Sequence, residues 1–108
     1  AAKDHVSTLL SMGITAILCC NDLMASGVLT ECSLRGCRVP EDVSVIGFDD
    51  LPISAKLTPP LTTIRQDRLE LGMCGFYALN SLINRVPISR TLLRPQLIVR
   101  SSTAAAAE

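Results

Sequence analysis

The chain has 108 residues, of which 48% are apolar, with ten Lys plus Arg against ten Asp plus Glu. Its mean hydropathy is +0.39. That composition excludes disorder and leaves room for one modest domain. The balanced charge supplies no basic excess to grip phosphates. With one Tyr, two Phe and no Trp there is also no platform for stacking bases. Taken alone, this stretch is therefore a poor nucleic-acid binder. A single His, His5, excludes a multi-histidine metal site.

Five cysteines stand at Cys19, Cys20, Cys32, Cys37 and Cys74. Their number is odd and no CxxC occurs. They read as buried small hydrophobes in a reducing compartment, neither disulfides nor metal ligands. Cys19 and Cys20 are adjacent and would point to opposite faces of a strand. No run reaches the roughly 18 apolar residues of a membrane span. The chain opens at Ala1-Ala2-Lys3 without an initiator Met or a signal peptide. It reads as a piece of a larger protein whose other parts cover some of its apolar faces.

Lys3 to Met12 is expected to be helical, with Val6, Leu9 and Leu10 on one side and Gly13 as the stop. Ile14 to Cys20 is short and continuously apolar, as in a strand buried on both faces. Asn21 and Asp22 follow, and either can cap the next helix. That helix runs to about Arg35, with Met24, Val28 and Cys32 on one stripe and Gly36 at its end. Pro40-Glu41-Asp42 is a turn. Val43 to Phe48 reads as a second buried strand, with Asp49-Asp50 at its C-terminal end. Two buried strands joined by a helix predict a right-handed βαβ unit, with Ala16–Cys20 parallel to Val43–Gly47.

Leu51 to Pro60 is expected to be loop with one helical turn, and Leu61 to Arg65 to be extended. Asp67 and Glu70 make a near capping box for a helix over Arg68 to Asn84. Its apolar stripe is Leu69, Met73, Phe76, Leu79 and Ile83. Gly72, Gly75 and Ala78 are small enough for a neighbouring backbone to approach. Leu92-Leu93 and Gln96 to Arg100 read as two short strands broken by Pro95. The tail from Ser101 is expected to fray.

Three places carry chemistry. Asn21 and Asp22 lie where a strand meets a helix, the edge at which open α/β sheets bind ligands, although capping alone accounts for such residues. Asp49 and Asp50 lie at the same kind of edge. Adjacent carboxylates there accept hydrogen bonds from ligand hydroxyls or amines, hold a hard cation, or simply begin a turn. Arg65 and Gln66, at the end of the extended segment from Leu61, reach either a cleft or solvent. No Ser/His or Cys/His set accompanies them.

The blocks ITAILCCNDLMASGVL, RVPEDVSVIGFDDLPIS and LTPPLTTIRQDRLELG, and the closing LLRPQLIVRSST, resemble the C-terminal part of the LacI/GalR family of bacterial transcriptional repressors. Order and spacing agree, from about residue 3 to Thr103. The resemblance implies an α/β fold. The chain would form a partial periplasmic-binding-protein-like, Rossmann-like parallel sheet flanked by helices. Residues 1–103 would form the later portion of a two-subdomain effector domain, with 104–108 a flexible tail. It implies binding of a sugar or related metabolite, no catalysis and no cofactor. It also implies a cytoplasmic homodimer with no membrane association. Operator DNA would be contacted only through an N-terminal head that this chain lacks.

Residue by residue, the family's cleft Asn falls on Asn21, its hydroxyl-binding Asp on Asp49 and its cleft Gln on Gln66. A carboxylate accepts hydroxyl protons and amides serve both senses, which suits a sugar. Where the family often stacks an aromatic on the sugar, this chain has Arg68. That departure points away from a simple neutral hexose and toward a polar or anionic ligand. The family's dimer contacts fall on Ser26, Leu29, Ile53 and Leu57; ordinary core is the alternative for Leu29 and Leu57. An open sheet edge, with Leu51–Pro60 as a hinge, also predicts self-association by that surface or by exchange of the segment from Leu61 onward. The rivals are a periplasmic sugar-binding protein, disfavoured by the cysteines, and a metal-dependent enzyme using Asp49 and Asp50.

Overall fold

The computed structural model describes residues 2–106. Two compact units are present: Ala1–Arg65 with Leu97–Glu108, and Gln66–Gln96.

In the first unit, helix α1 (Ala2–Ser11) leads to strand β1 (Ala16–Leu18), helix α2 (Asp22–Leu34) and strand β2 (Ser44–Ile46). The strands are parallel, with Ala16, Ile17 and Leu18 opposite Ser44, Val45 and Ile46. The expected βαβ arrangement is therefore present. On the other edge of β2 runs the segment leading into β3 (Thr63–Arg65), bridged in parallel at Ile46/Thr62 and Asp49/Arg65. β3 pairs with β4 (Gln96–Ile98). A 3₁₀ turn at Pro52–Lys56 supplies the expected single turn of helix.

Apolar periodicity explains the core. Val6 from α1, Ile17 and Cys19 from around β1, Ala25, Val28, Leu29 and Cys32 from α2, Val43 and Val45 around β2, and Leu61 make one buried cluster. Leu9 and Leu10 pack against it, as their spacing predicts. On α2 the buried row continues from Val28 back to Ala25, so Met24 is exposed rather than on the stripe. The helix ends on Gly36, at φ +70, with Gly36 N–H donating to the Ser33 carbonyl and Cys37 N–H to the Cys32 carbonyl. This is a Schellman cap, which a side-chain-free residue satisfies most easily.

Several expectations are corrected. β1 is not buried on both faces: Ile17 is buried, while Ala16 and Leu18 are exposed, Leu18 at 74%. No described element of the first unit lies over that second face. Cys19 and Cys32 are buried, and burial first of all pushes each thiol up to about 11. Cys20 is exposed and Cys37 and Cys74 are half-buried, so the buried-cysteine reading holds for two of the five.

In the second unit, helix α3 (Arg68–Ile83) forms as expected, with the Asp67 side chain accepting from Glu70 N–H at 3.0 Å. Its stripe of Leu69, Met73, Phe76, Leu79 and Ile83 is exposed, and no α3 residue is buried. One helix and its return loop cannot by themselves cover an apolar face. The small-residue row is also unused: apart from the adjoining residues and the helix's own backbone, no described atom lies within 4 Å of where a Cβ on Gly72 or Gly75 would stand. Leu92-Leu93 is not a strand.

The closing segment is docked, not frayed, through Thr103. Ser102 is fully buried; its hydroxyl donates to the Val45 carbonyl at 2.6 Å and accepts from Thr62 N–H at 2.8 Å. Ala104 N–H donates to the Ser44 hydroxyl at 3.1 Å. A strand-like end with polar anchors resists fraying because those donors and acceptors have no water to turn to. Residues 107 and 108 of the expected tail lie outside the described residues.

Candidate functional site

Parallel strands deliver Asn21 and Asp49 to the same edge. Asn21 follows β1 and Asp49 follows β2, and Asp22 N–H donates to the Phe48 carbonyl at 3.0 Å, stitching the two strand ends together. Asn21 is the cap of α2: its Oδ1 accepts from Met24 N–H at 2.8 Å. That role uses only the amide oxygen. Among the described residues of this unit its NH₂ has no acceptor.

Asp22 does not cap the helix. It is fully buried and gathers three donors: the Thr63 hydroxyl to Oδ1 at 2.6 Å, Leu51 N–H to Oδ2 at 2.9 Å, and the Ser54 hydroxyl to Oδ2. The carboxylate thus joins the start of α2, the 3₁₀ turn and β3. Gly47 passes so close that a Cβ there would overlap Asp22 Oδ1.

Asp49 and Asp50 are treated oppositely by the fold. Asp50 is engaged on both oxygens: Arg65 Nε donates to Oδ2 and Arg100 Nη2 to Oδ1, each at 2.7 Å. Only 9% of its side chain is exposed. Burial alone would raise its carboxyl, but the hydrogen bonds from Arg100 and then Arg65 overcome this and hold it below the usual carboxylate range. Asp49 N–H donates to the Ile64 carbonyl at 2.9 Å, yet its carboxylate has no partner among the described residues of its unit. Its φ is +124° and that of Asp50 is +57°. Short polar side chains tolerate the second value; the first is strained, on the order of 1–3 kcal/mol.

The depressed Asp50 carboxyl makes a prediction. Its stabilising contribution is complete above the ordinary value of 3.8. It is lost as pH falls through that value toward the lower folded one, because the unfolded chain takes up the proton first. Acid unfolding followed by circular dichroism should show a shallower loss of stability below about pH 4 in Asp50→Asn than in wild type. Identical slopes would refute the contribution. The exposed Arg38–Asp42 and Arg35–Glu31 pairs add little.

Gln66 and Arg68 lie in the second unit, both exposed, Arg68 in the first turn of α3. Gln66 lines a small cavity with Asp67, Glu70, Leu71 and Leu93. Arg68 lines a shallow apolar hollow with Leu69, Met73 and Phe76. Of the residues assigned to a dimer surface, Leu29 is core, Leu57 packs against the core, Ser26 is half-buried and Ile53 is exposed at 42%.

The cation reading of Asp49-Asp50 finds no support. Both Asp50 oxygens are held by guanidinium groups. Among the described residues no three His, Cys, Asp or Glu side chains gather. Arg100, Ser54 and Thr63 are the functional supports that sequence reasoning missed; Arg65, expected to reach a cleft or solvent, pairs with Asp50 instead. Only the hydroxyl-rich Thr62-Thr63 hinted at a buried polar network, and nothing local linked positions 22, 54 and 63.

An α/β unit with polar residues at the C-terminal edge of parallel strands defines a ligand-binding fold, and residues 2–103 match the model of the periplasmic binding protein-like domain. The chain belongs to that family. It is similar to the HTH-type transcriptional repressor PurR of Haemophilus influenzae, at 44% identity over 96 residues, covering 82% of this chain and 28% of that protein. It is similar in structure to a LacI family transcriptional regulator from Arthrobacter in complex with lactose, at TM-score 0.83 and 39% identity, covering 96% of this chain and 41% of the other. The lac repressor dimer bound to operator and the anti-inducer ONPF superposes at TM-score 0.87 and 36% identity, covering 96% and 37%. The chain therefore spans under half the length of each. All three relatives are transcriptional regulators. No helix among the described residues is long and apolar enough to cross a membrane.

Proposed function

We propose that this chain forms the later part of the effector-binding domain of a LacI-type transcriptional regulator. The whole protein works as a cytoplasmic homodimer that contacts operator DNA through a separate head and performs no catalysis. The reading is carried by the two carboxylates at one strand edge: Asp50 is neutralised by two arginines, while Asp49 is left as an unspent acceptor beside Asn21. Asp49 accepts hydroxyl or amine protons from a polar metabolite and the Asn21 NH₂ donates to it, both within the first unit; Gln66 and Arg68 are proposed as ligand-binding residues of the second unit. A cationic Arg68 in place of a stacking ring favours a ligand with acidic or strongly polar groups. Ser26, Leu29, Ile53 and Leu57 mark the dimer region, in which Ile53 is exposed and apolar while Leu29 belongs to the core beneath the surface.

The test is made in the full-length protein. A thermal-shift screen of sugars, sugar phosphates and nucleobases identifies the effector, and calorimetry compares Asp49→Ala with wild type. Loss of a charge-assisted hydrogen bond should weaken binding by about 2 kcal/mol, roughly thirtyfold. Unchanged affinity in a folded variant would refute the role.

A further inference from the structure

The two consecutive aspartates hold consecutive positive φ values, +124° at Asp49 and +57° at Asp50. Nothing in the side chain of Asp49 holds it in the strained one. The residues around it do. Asp50 is fastened on one oxygen by Arg65 Nε and on the other by Arg100 Nη2, each at 2.7 Å. Arg100 is itself fixed, its Nη1 donating to the Leu61 carbonyl at 2.9 Å and only 17% of its side chain exposed. Just beyond, Leu51 N–H is anchored on Asp22 Oδ2 at 2.9 Å. Just before, Asp49 N–H is anchored on the Ile64 carbonyl. Asp50 N–H itself donates to the Thr63 hydroxyl at 3.4 Å. The peptide between them has nowhere to relax while all four anchors hold.

The location of the two arginines adds a second point. Arg65 is the last residue of the first unit before the chain passes to Gln66, and Arg100 comes shortly after the chain returns at Leu97. One carboxylate therefore grips both connections between the units at their roots.

We propose that Asp50, clamped by Arg65 and Arg100, is a positioning residue that holds Asp49 in its strained, unpaired geometry and ties that geometry to the two chain crossings. This rests on the reading of Asp49 as the effector's acceptor. Strain held by surrounding anchors pre-organises a binding group, because the ligand need not supply the ordering.

The experiment uses the full-length protein and three variants: Asp49→Ala, Asp50→Asn and Asp50→Gly. Glycine suits φ +57° without strain, so Asp50→Gly removes the carboxylate while keeping the turn accessible. Crystal structures of the Asp50 variants report φ at residue 49, whatever the natural effector is. Lactose and a sugar phosphate serve as calorimetric probes. The expected result is that residue 49 leaves its positive φ in both Asp50 variants. Affinity for whichever sugar wild type binds then falls at least tenfold. Asp49 remaining near +124° in Asp50→Gly overturns the proposal, whatever the affinity does. Asp49→Ala binding as tightly as wild type, with residue 49 displaced in the Asp50 variants, would instead sink the acceptor reading and leave the positioning role standing.

Discussion

Replacing Asp22 by Ala should destabilise the folded protein by about 4 kcal/mol, the largest single-residue loss outside the apolar core. The reason is the asymmetry of buried hydrogen bonds. A formed bond contributes modestly, but a buried donor left without a partner costs about 1–3 kcal/mol. Asp22→Ala strands three at once: the Ser54 and Thr63 hydroxyls and Leu51 N–H. Ser54 and Thr63 are both fully buried, so water cannot replace the carboxylate without opening the core. Asp22→Asn should cost about half as much, since one oxygen remains to accept while the NH₂ confronts donors. Urea denaturation of the full-length protein, followed by circular dichroism, reads both values. A loss under about 1 kcal/mol for the Ala variant would mean the hydroxyls find other acceptors.

The second large effect is expected at Gly47. Its backbone passes against Asp22, and an added Cβ would overlap Oδ1 and stand 2.9 Å from Leu61 Cδ2. Leu61 is fully buried and the carboxylate is pinned by its three donors, so neither can yield cheaply. Gly47→Ala should cost about 3 kcal/mol through overpacking. The two predictions are linked. With the carboxylate removed, the main obstacle to the methyl group is gone. The Asp22→Ala/Gly47→Ala double variant should then be less destabilised than the sum of the singles, by about 1 kcal/mol or more. A double-mutant cycle measures this. Additivity within about 0.5 kcal/mol would show that Leu61, not Asp22, enforces the glycine.

Much of the first unit was legible in the residues. The short apolar runs around Ile17 and Val45, the period of Val6, Leu9 and Leu10, and the Gly36 stop each act through neighbours a few positions away, and each element formed where expected. Asp67 as a cap is local in the same sense. The parallel pairing of β1 with β2 also followed, because a strand, helix and strand of these lengths have few ways to close. The long blocks VPEDVSVIGFDD and LTPPLTTIRQ pointed to the family, and the match over residues 2–103 agrees.

What stayed hidden depends on atoms far apart in the chain. Continuous hydrophobicity in Ile14–Cys20 does not say whether one face or two will be covered; that depends on which other elements arrive, and here Leu18 stays exposed. The stripe on α3 is amphipathic in pattern yet unburied, because burial belongs to a partner surface and not to the helix. Which of two neighbouring polar residues caps α2 is decided by the reach of hydroxyls 32 and 41 positions away, which draw Asp22 inward and leave the cap to Asn21. Which of two neighbouring aspartates is spent and which remains an open acceptor is decided by Arg65 and Arg100, 15 and 50 positions on. Local residue types determined the elements and the kind of chemistry at the strand ends. Only the tertiary structure assigned the roles, because charge pairing and burial are properties of what the folded chain brings within a few ångströms.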